Sequence, residues 1–192
     1  MIESNREIKK PSEKREIMPR FEASALRGYC VSVLMASGVE RSCAEAVADA
    51  LIDAELTGVS THGVSRLAVY MQRMDAGVMS RENNIRIVRE STSTLVVDAG
   101  NSLGAAAAKF AMERCIAKAK ETGCCFASVH SSNHFGTAAY YTRLAAAQDM
   151  IGFACTNLKG KIAPFGSAEP YMGTNPILSL IHISEPTRLR RI

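Results

Sequence analysis

Apolar residues recur at helical spacing in three short segments near the beginning of the chain. In each segment they occupy positions i, i+3, i+4 and i+7, which fall on one face of an α-helix. The three sets are Leu26, Tyr29, Cys30 and Val33, then Ala44, Val47, Ala48 and Leu51, then Val64, Leu67, Ala68 and Met71. The pattern predicts three short amphipathic helices, which form a small helical domain over residues 21–77.

Local signals indicate where these helices begin and end. Gly38 follows the first segment and Gly77 the third, and glycine often ends a helix because it adopts the left-handed backbone conformation. Ser42 and Glu45 have the spacing of a capping box, in which the two side chains accept hydrogen bonds from otherwise free amides. We therefore expect the second helix to begin at this pair.

After Gly77 the pattern changes to an alternation of strands and helices. The predicted elements are strands over 85–88 and 94–97, a helix over 102–122, a strand over 124–129, a helix over 137–147 and a strand over 151–156. This β-β-α-β-α-β order is typical of an α/β fold. The sequence therefore predicts a mixed α/β domain over residues 78–177, following the small helical domain.

Two of these elements also carry a prediction of burial. In the helix over 102–122, the charges of Lys109, Glu113 and Lys120 form one narrow stripe, so most of the helix surface is expected to be buried. The stretch 124–129 is short and almost wholly apolar, which is typical of a central strand covered on both faces.

Composition and charge exclude several classes of function. Of the 192 residues, 47% are apolar and 22% charged, which is ordinary for a globular protein. The net charge of +4 lies at the ends: residues 1–20 hold six Lys or Arg against four Asp or Glu, and residues 178–192 hold three against one. No basic face for nucleic acid is therefore expected. No apolar run approaches the roughly 18 residues of a membrane span.

The first twenty residues and the cysteines bear on localisation. Residues 1–20 are charged throughout, lack the apolar core of a secretory signal and are predicted to be a disordered extension. None of the six cysteines forms a C-x-x-C pair, and most lie in apolar runs. We expect buried free thiols in a reducing cytoplasm, with a zinc site as the alternative. No metal is predicted.

Candidate chemistry is concentrated in two histidine motifs. His62 stands in Thr61-His62-Gly63, with Arg66 one helical turn further on, and His134 stands in Ser132-Asn133-His134-Phe135-Gly136. Histidine titrates near neutral pH, and an arginine guanidinium binds a carboxylate through two hydrogen bonds. This combination suits acid–base chemistry on a small carboxylate. The alternative is that His62 caps a helix, Arg66 is solvated and His134 is a loop residue without a role.

A third segment completes the set, with Pro164-Phe165-Gly166 followed by Gly173-Thr174-Asn175-Pro176. Taken together and in this order, the three segments resemble the malate/L-lactate dehydrogenase family of NAD(P)-dependent oxidoreductases. The resemblance covers residues 21–177. It implies transfer of a hydride between NAD or NADP and a small 2-hydroxy or 2-oxo acid, in a cytoplasmic homodimer. The G-x-G-x-x-G dinucleotide fingerprint is absent from the sequence, so the nucleotide site is implied by the resemblance alone.

The resemblance also implies roles for individual residues. His62 and His134 are candidates for proton transfer, with Thr61 as a hydroxyl neighbour, and Arg66 binds the substrate carboxylate. The choice between the two histidines stays open. Thr174 and Asn175 are expected near the substrate. The expected cofactor-binding residues are Ser132, Asn133, Phe135, Gly136 and Thr137. Lys159 and Lys161 have the composition of a solvated loop and are also possible phosphate ligands.

The last fifteen residues do not continue the family pattern. Residues 178–192 contain Ser184-Glu185-Pro186-Thr187 and an arginine cluster, so we expect a foreign tail that packs poorly and a truncated copy of the family's chain. A divergent natural terminus is the alternative. Three other functions stay open: reduction of a cyclic imine carboxylate, an inactive fragment without catalytic function, and a metal hydrolase built on His62, His130 and His134.

Overall fold

Three helices form the first part of the protein, in the order that the sequence predicts. The computed structural model describes residues 20–181. The helices are α1 (Ala23–Ala36), α2 (Arg41–Leu56) and α3 (Ser65–Asp75), with a single 3₁₀ turn, Ser60–His62, before α3. Helix α2 supplies most of the packing surface, and its predicted apolar positions are all buried: Ala44, Val47, Ala48 and Leu51. The predicted disordered extension lies almost wholly outside the described residues.

The buried faces of α1 and α3 differ from the predicted ones. In α1 the buried residues are Cys30, Val31 and Leu34, whereas Tyr29 is 59% exposed. In α3 the buried face includes Tyr70 and Met74 and leaves Ala68 exposed. The predicted capping box is wrong, since α2 begins one residue earlier and the Ser42 hydroxyl donates to the Glu40 carboxylate at 2.7 Å. Because Ser42 lies inside the helix, it cannot cap it.

Strands and helices alternate in the second part, which confirms the predicted α/β class. The elements are β1 (Arg86–Glu90), β2 (Thr94–Asp98), α4 (Gly104–Thr122), β3 (Phe126–His130), α5 (Ala138–Ala146), β4 (Gly152–Cys155) and β5 (Ile177–Leu180). Strands β1 and β2 form an antiparallel hairpin. Helix α4 then returns the chain so that β3 runs parallel to β2, with Thr94 opposite Phe126 and Asp98 opposite His130. The carboxyl ends of β2 and β3 therefore lie side by side.

Burial of the strand region is lower than predicted. Strand β3 is the last strand of the three-stranded sheet rather than a central one, and Phe126 is 66% exposed. Strand β4 does not join this sheet but pairs antiparallel with β5. The predicted burial of α4 holds only for its first half, where residues 104–107 are buried, because the second half borders open space between the two sheets.

Part of the predicted foreign tail is ordered structure. Leu178 and Leu180 belong to β5 and lie opposite Ala154 and Gly152 of β4. This pairing extends the ordered strand structure three residues past Ile177, while the foreign origin of the tail stays a prediction. The remaining residues of the predicted tail lie outside the described part, apart from Ile181.

One apolar core connects the two parts of the chain. Leu103, Ala106, Tyr140 and Tyr141 pack in the same cluster as the buried faces of α1, α2 and α3. Ion pairs reinforce the contact: Asp49 of α2 accepts from Lys109 of α4 at 3.0 Å, and Asp53 pairs with Arg143 of α5. Within the described range, none of the helices is long and apolar enough to cross a membrane.

All six cysteines are free thiols, but their burial differs from the prediction. Cys30 and Cys43 are buried, Cys124 and Cys155 are exposed, and the other two are half-buried. The exposed ones lie next to or within strands that have one open face, which explains why an apolar sequence context did not bury them.

Candidate active site

A tight turn between α2 and α3 positions His62. The Glu55 carboxylate accepts the backbone N–H of Val64 and the hydroxyl of Ser60, each at 2.8 Å. Gly63 passes so close to this carboxylate that a Cβ would collide with it. His62 therefore lies at the end of the 3₁₀ turn, and α3 begins three residues later, at Ser65.

The turn brings His62 against His134, which follows β3. The two imidazole rings are stacked with their centroids 5.4 Å apart. Thr61 lies beside them, with its hydroxyl 3.0 Å from His62 Nδ1. Arg66 Nε donates to the Thr61 carbonyl oxygen at 2.6 Å. The structure thus brings together four predicted site residues from the two parts of the chain.

Tyr70 and Arg73, which were not among the predicted site residues, extend this group. The Tyr70 hydroxyl lies 2.8 Å from His134 Nδ1, and Arg73 Nη2 donates to Asn133 Oδ1 at 3.3 Å. Tyr70 and Arg73 follow Arg66 by four and seven residues, so all three share one face of α3. That spacing was the signal available in the sequence.

The electrostatics of the group favour an anionic ligand. Burial, and then the charge of Arg66, lower the pKa of His134 to about 4. The same two causes lower the pKa of His62. Both rings are therefore neutral at pH 7. The ion pairs formed among residues 20–181 leave Arg66 without a carboxylate partner, so its charge is available to a ligand.

Asn133 holds the His134 loop to the fold. Its side-chain nitrogen donates to the Asn101 carbonyl and to the Ser102 carbonyl, both at 3.0 Å. Its own carbonyl oxygen lies so close to Gly104, the first residue of α4, that a Cβ there would collide. These contacts give Asn133 a structural function, beside the cofactor contact that was expected of it.

The other predicted cofactor-binding residues lie between His134 and α5. The ring of Phe135 stacks on Tyr141 with centroids 5.2 Å apart. Gly136 has a φ of +83°, and its amide donates to His134 Nδ1 at 3.4 Å. Thr137 precedes α5, and its Oγ1 is buried with no hydrogen-bond partner in the part of the chain that the structure describes. An unpaired buried hydroxyl at the start of a helix fits a phosphate-bearing cofactor.

A cavity of about 1290 Å³ opens beside these residues, between β3, α4 and the β4–β5 hairpin. Its lining includes Arg66, Tyr70, Ser132 and His134, and also Lys159 and Lys161. This volume exceeds the usual range for a small-molecule site, so it can hold both a substrate and part of a nucleotide.

Thr174 and Asn175 are not among the residues that line this cavity. They lie in the irregular segment before β5, where Asn175 Oδ1 accepts the Leu158 amide at 2.8 Å. Asn175 has a φ of +39°, in the left-handed region. The structure therefore does not place these two residues in the cavity lining beside His134.

The residues of the alternative metal site are engaged elsewhere. His130 Nδ1 lies 3.0 Å from the Ser131 hydroxyl and 3.7 Å from Asp98 Oδ1. Over residues 20–181, no group of three or more His, Cys, Asp or Glu side chains is arranged to hold a metal ion.

Comparison with known proteins identifies the family. The sequence model of the malate/L-lactate dehydrogenase family matches residues 21–184. The chain belongs to the malate/L-lactate dehydrogenase family. This confirms the resemblance, and the match continues past Ile177, where the family pattern was expected to end.

The chain is similar to enzymes and to solved structures from several organisms. The L-sulfolactate dehydrogenase of Methanocaldococcus jannaschii is 42% identical over 77% of this chain and 43% of its own length. The ureidoglycolate dehydrogenase (NAD(+)) of Escherichia coli is 32% identical over 75% and 41%. The structure of malate dehydrogenase from Pyrococcus horikoshii superposes with a TM-score of 0.82 at 36% identity, over 88% of this chain and 48% of that one. The chain spans less than half the length of these relatives.

Proposed function

We propose that this chain carries the substrate-binding and proton-transfer residues of an NAD(P)-dependent oxidoreductase that acts on small 2-hydroxy and 2-oxo acids. The observation that carries the proposal is the stacked pair of His62 and His134 beside Arg66, whose charge has no carboxylate partner in the described range. The substrates named for the relatives above, sulfolactate, malate and ureidoglycolate, are all 2-hydroxy acids.

Substrate binding begins at Arg66. The Nε atom of Arg66 is fixed by the Thr61 carbonyl, so the two terminal nitrogens remain to bind the substrate carboxylate. A bidentate pair of this kind fixes the orientation of the acid as well as its position. The carbonyl or hydroxyl group next to the carboxylate then lies toward His62 and His134, because Arg66 is bound to the carbonyl of Thr61, the residue whose hydroxyl contacts His62.

Reduction of a 2-oxo acid requires a group that can donate a proton to the substrate oxygen. In the free site, burial and Arg66 keep His134 neutral, with a pKa of about 4. A carboxylate bound at Arg66 offsets the arginine charge, so the pKa of His134 rises toward its ordinary value and the imidazolium form becomes available. His134 is then able to donate a proton to the oxygen of a 2-oxo acid while the carbonyl carbon accepts a hydride. His62, whose pKa is lowered by the same causes, is the alternative donor.

The hydride would come from reduced nicotinamide when NADH or NADPH is bound. Ser132 and Phe135, which line the cavity, would hold the nucleotide together with the adjoining Gly136 and Thr137, and Lys159 and Lys161 add cationic groups to the lining. Thr174 and Asn175 complete the substrate pocket only if the segment before β5 moves, or if a second subunit supplies it. A homodimer in the cytoplasm, with malate or lactate among its substrates, is part of the same proposal.

The test combines turnover with binding. The purified chain is assayed for oxidation of NADH and of NADPH with pyruvate, oxaloacetate, sulfopyruvate and a cyclic imine carboxylate. Binding of oxamate, an unreactive analogue of pyruvate, is measured by calorimetry. Turnover with a 2-oxo acid supports the proposal, and turnover with the imine alone favours the reductase alternative. Oxamate binding without turnover favours a fragment that binds but does not react. The absence of both oxamate binding and turnover would contradict the proposal.

A further inference from the structure

Two groups meet at one nitrogen of His134. The Tyr70 hydroxyl oxygen lies 2.8 Å from Nδ1, and the Gly136 amide nitrogen lies 3.4 Å from it. A backbone amide is only a donor, whereas a tyrosine hydroxyl is both a donor and an acceptor. If Nδ1 carried a hydrogen, that hydrogen would face the amide hydrogen of Gly136. The Gly136 contact therefore favours a lone pair on Nδ1, with Tyr70 as a donor to it and the ring hydrogen on Nε2.

We propose that Tyr70 is a positioning residue, whose hydroxyl holds Nδ1 of His134 so that the neutral ring presents an Nε2–H donor to the cavity. The catalytic use of this arrangement rests on the proposed function, in which the Nε2–H faces the oxygen atom of a bound 2-oxo acid. The hydrogen-bond arrangement itself does not depend on any ligand.

The surroundings of Tyr70 fit this function. Its side chain is 2% exposed and packs in the core cluster, so the hydroxyl has one fixed position. The rings of Tyr70 and His134 are tilted by 47° with centroids 6.0 Å apart, so these two rings do not stack and Tyr70 acts on the imidazole through its hydroxyl. Burial raises the pKa of Tyr70 to about 12, so the hydroxyl keeps its hydrogen at neutral pH.

A hydroxyl differs here from the carboxylate that orients many catalytic histidines. A carboxylate accepts only, so it favours a hydrogen on Nδ1 and stabilises the imidazolium. A hydroxyl adds no charge, and it can accept a hydrogen bond when Nδ1 becomes protonated. Tyr70 therefore orients His134 in both protonation states, and it does not raise the pKa of His134 when no ligand is bound.

Nitrogen-15 spectroscopy of histidine-labelled protein tests the proposal in the chain as it exists. The shifts of the two ring nitrogens distinguish a nitrogen that bears a hydrogen from one that does not. His134→Gln removes one pair of signals and so assigns His134. At pH 7 we expect Nε2 of His134 to be protonated and Nδ1 to be bare. In Tyr70→Phe we expect the difference between the two shifts to fall, because the second tautomer becomes populated.

Tyr29→Phe serves as the matched control, because it removes an exposed tyrosine hydroxyl from α1 and should leave the His134 shifts unchanged. A hydrogen on Nδ1 in the unmodified protein would overturn the proposal, and this result needs His134→Gln only to assign the signals. Shifts that are the same in Tyr70→Phe as in the unmodified protein would also overturn it. Neither result depends on turnover, so the test is separate from that of the proposed function.

Discussion

The helical part of the chain and the strand part differ in how completely they bury their apolar residues. In α1 and α2, large side chains such as Leu34 and Leu51 are fully buried. In the strand part, Phe126, Ile151 and Phe153 are about half exposed or more, and they lie around the cavity between the two sheets. The helices therefore form a closed core, in which the large apolar side chains are shielded from solvent. The strands bury apolar side chains on one face and expose them on the other.

The candidate site lies where these two parts meet. Tyr70 and Arg66 belong to a helix that is anchored in the closed core, while His134 follows a strand with an open face. Helix α3, on the more buried side, therefore supplies the anion-binding Arg66 and the orienting hydroxyl of Tyr70. The less buried strand side supplies the imidazole of His134, on which both act. Stability and chemistry are consequently expected to respond differently to changes in the two parts.

The largest expected effect comes from a cavity in the closed core. Leu51 is 1% exposed in the middle of α2, so Leu51→Ala should lower the free energy of unfolding by about 2–5 kcal/mol. Leu158→Ala is the matched change in the strand part, where the side chain is 44% exposed, and should cost less than about 1 kcal/mol. Urea unfolding measures both. Equal losses would show that the strand part is as tightly packed as the helices.

The second prediction separates chemistry from stability on the helical side. Arg66→Lys should weaken oxamate binding by about ten- to a hundred-fold, because lysine cannot form the bidentate contact and loses roughly 1.5–3 kcal/mol of charge-assisted hydrogen bonding. Arg41→Lys is the control, since Arg41 is an exposed residue at the start of α2. The unfolding free energy of Arg66→Lys should stay close to that of the unmodified protein. Unchanged binding would exclude Arg66 as the carboxylate ligand.

Much of this fold was predictable because helical periodicity reports burial on one face. The periodicity located α1 to α3, and the alternation after Gly77 located β1 to β4. The prediction that β3 is a buried central strand was wrong, because a short apolar run does not reveal whether other elements cover the strand. Strand β5 was missed because its pairing with β4 joins residues more than twenty positions apart.

The site was predictable only in part, for a related reason. The motifs identified His62, Arg66 and His134 by residue type and by family resemblance. Tyr70 was not identified, because a tyrosine on an apolar helix face has the same pattern whether it serves the core or a catalytic group. Only the distance from its hydroxyl to His134 distinguishes the two. Asn133 likewise matched a binding motif, while its contacts also tie the loop to α4.

The third prediction concerns pH and the boundary between the two parts. The pKa of His134 falls from 6.5 to about 4 on folding, so the unfolded chain binds a proton that the folded chain does not as pH drops through this window. Stability should therefore decrease between pH 6.5 and 4. His62 acts in the same direction. In His134→Gln the decrease should be smaller, as measured by the thermal midpoint at a series of pH values. An identical pH profile would contradict the burial of the imidazole.

The smallest expected effect is on the strand side, where α4 is tied to the first hairpin by charge. Lys118 Nζ lies 2.8 Å from Glu90 and also donates to the Ser91 carbonyl at 2.7 Å. The Glu90 side chain is half exposed, so solvent screens the pair, and Lys118→Ala should cost about 0.2–1 kcal/mol. Added salt should reduce this difference, because the Debye length shortens. Urea unfolding at low and high ionic strength measures it. A cost as large as that of Leu51→Ala would mean that this hairpin depends on α4 for its stability, and the contrast between a closed helical core and a loosely buried sheet would then be too simple.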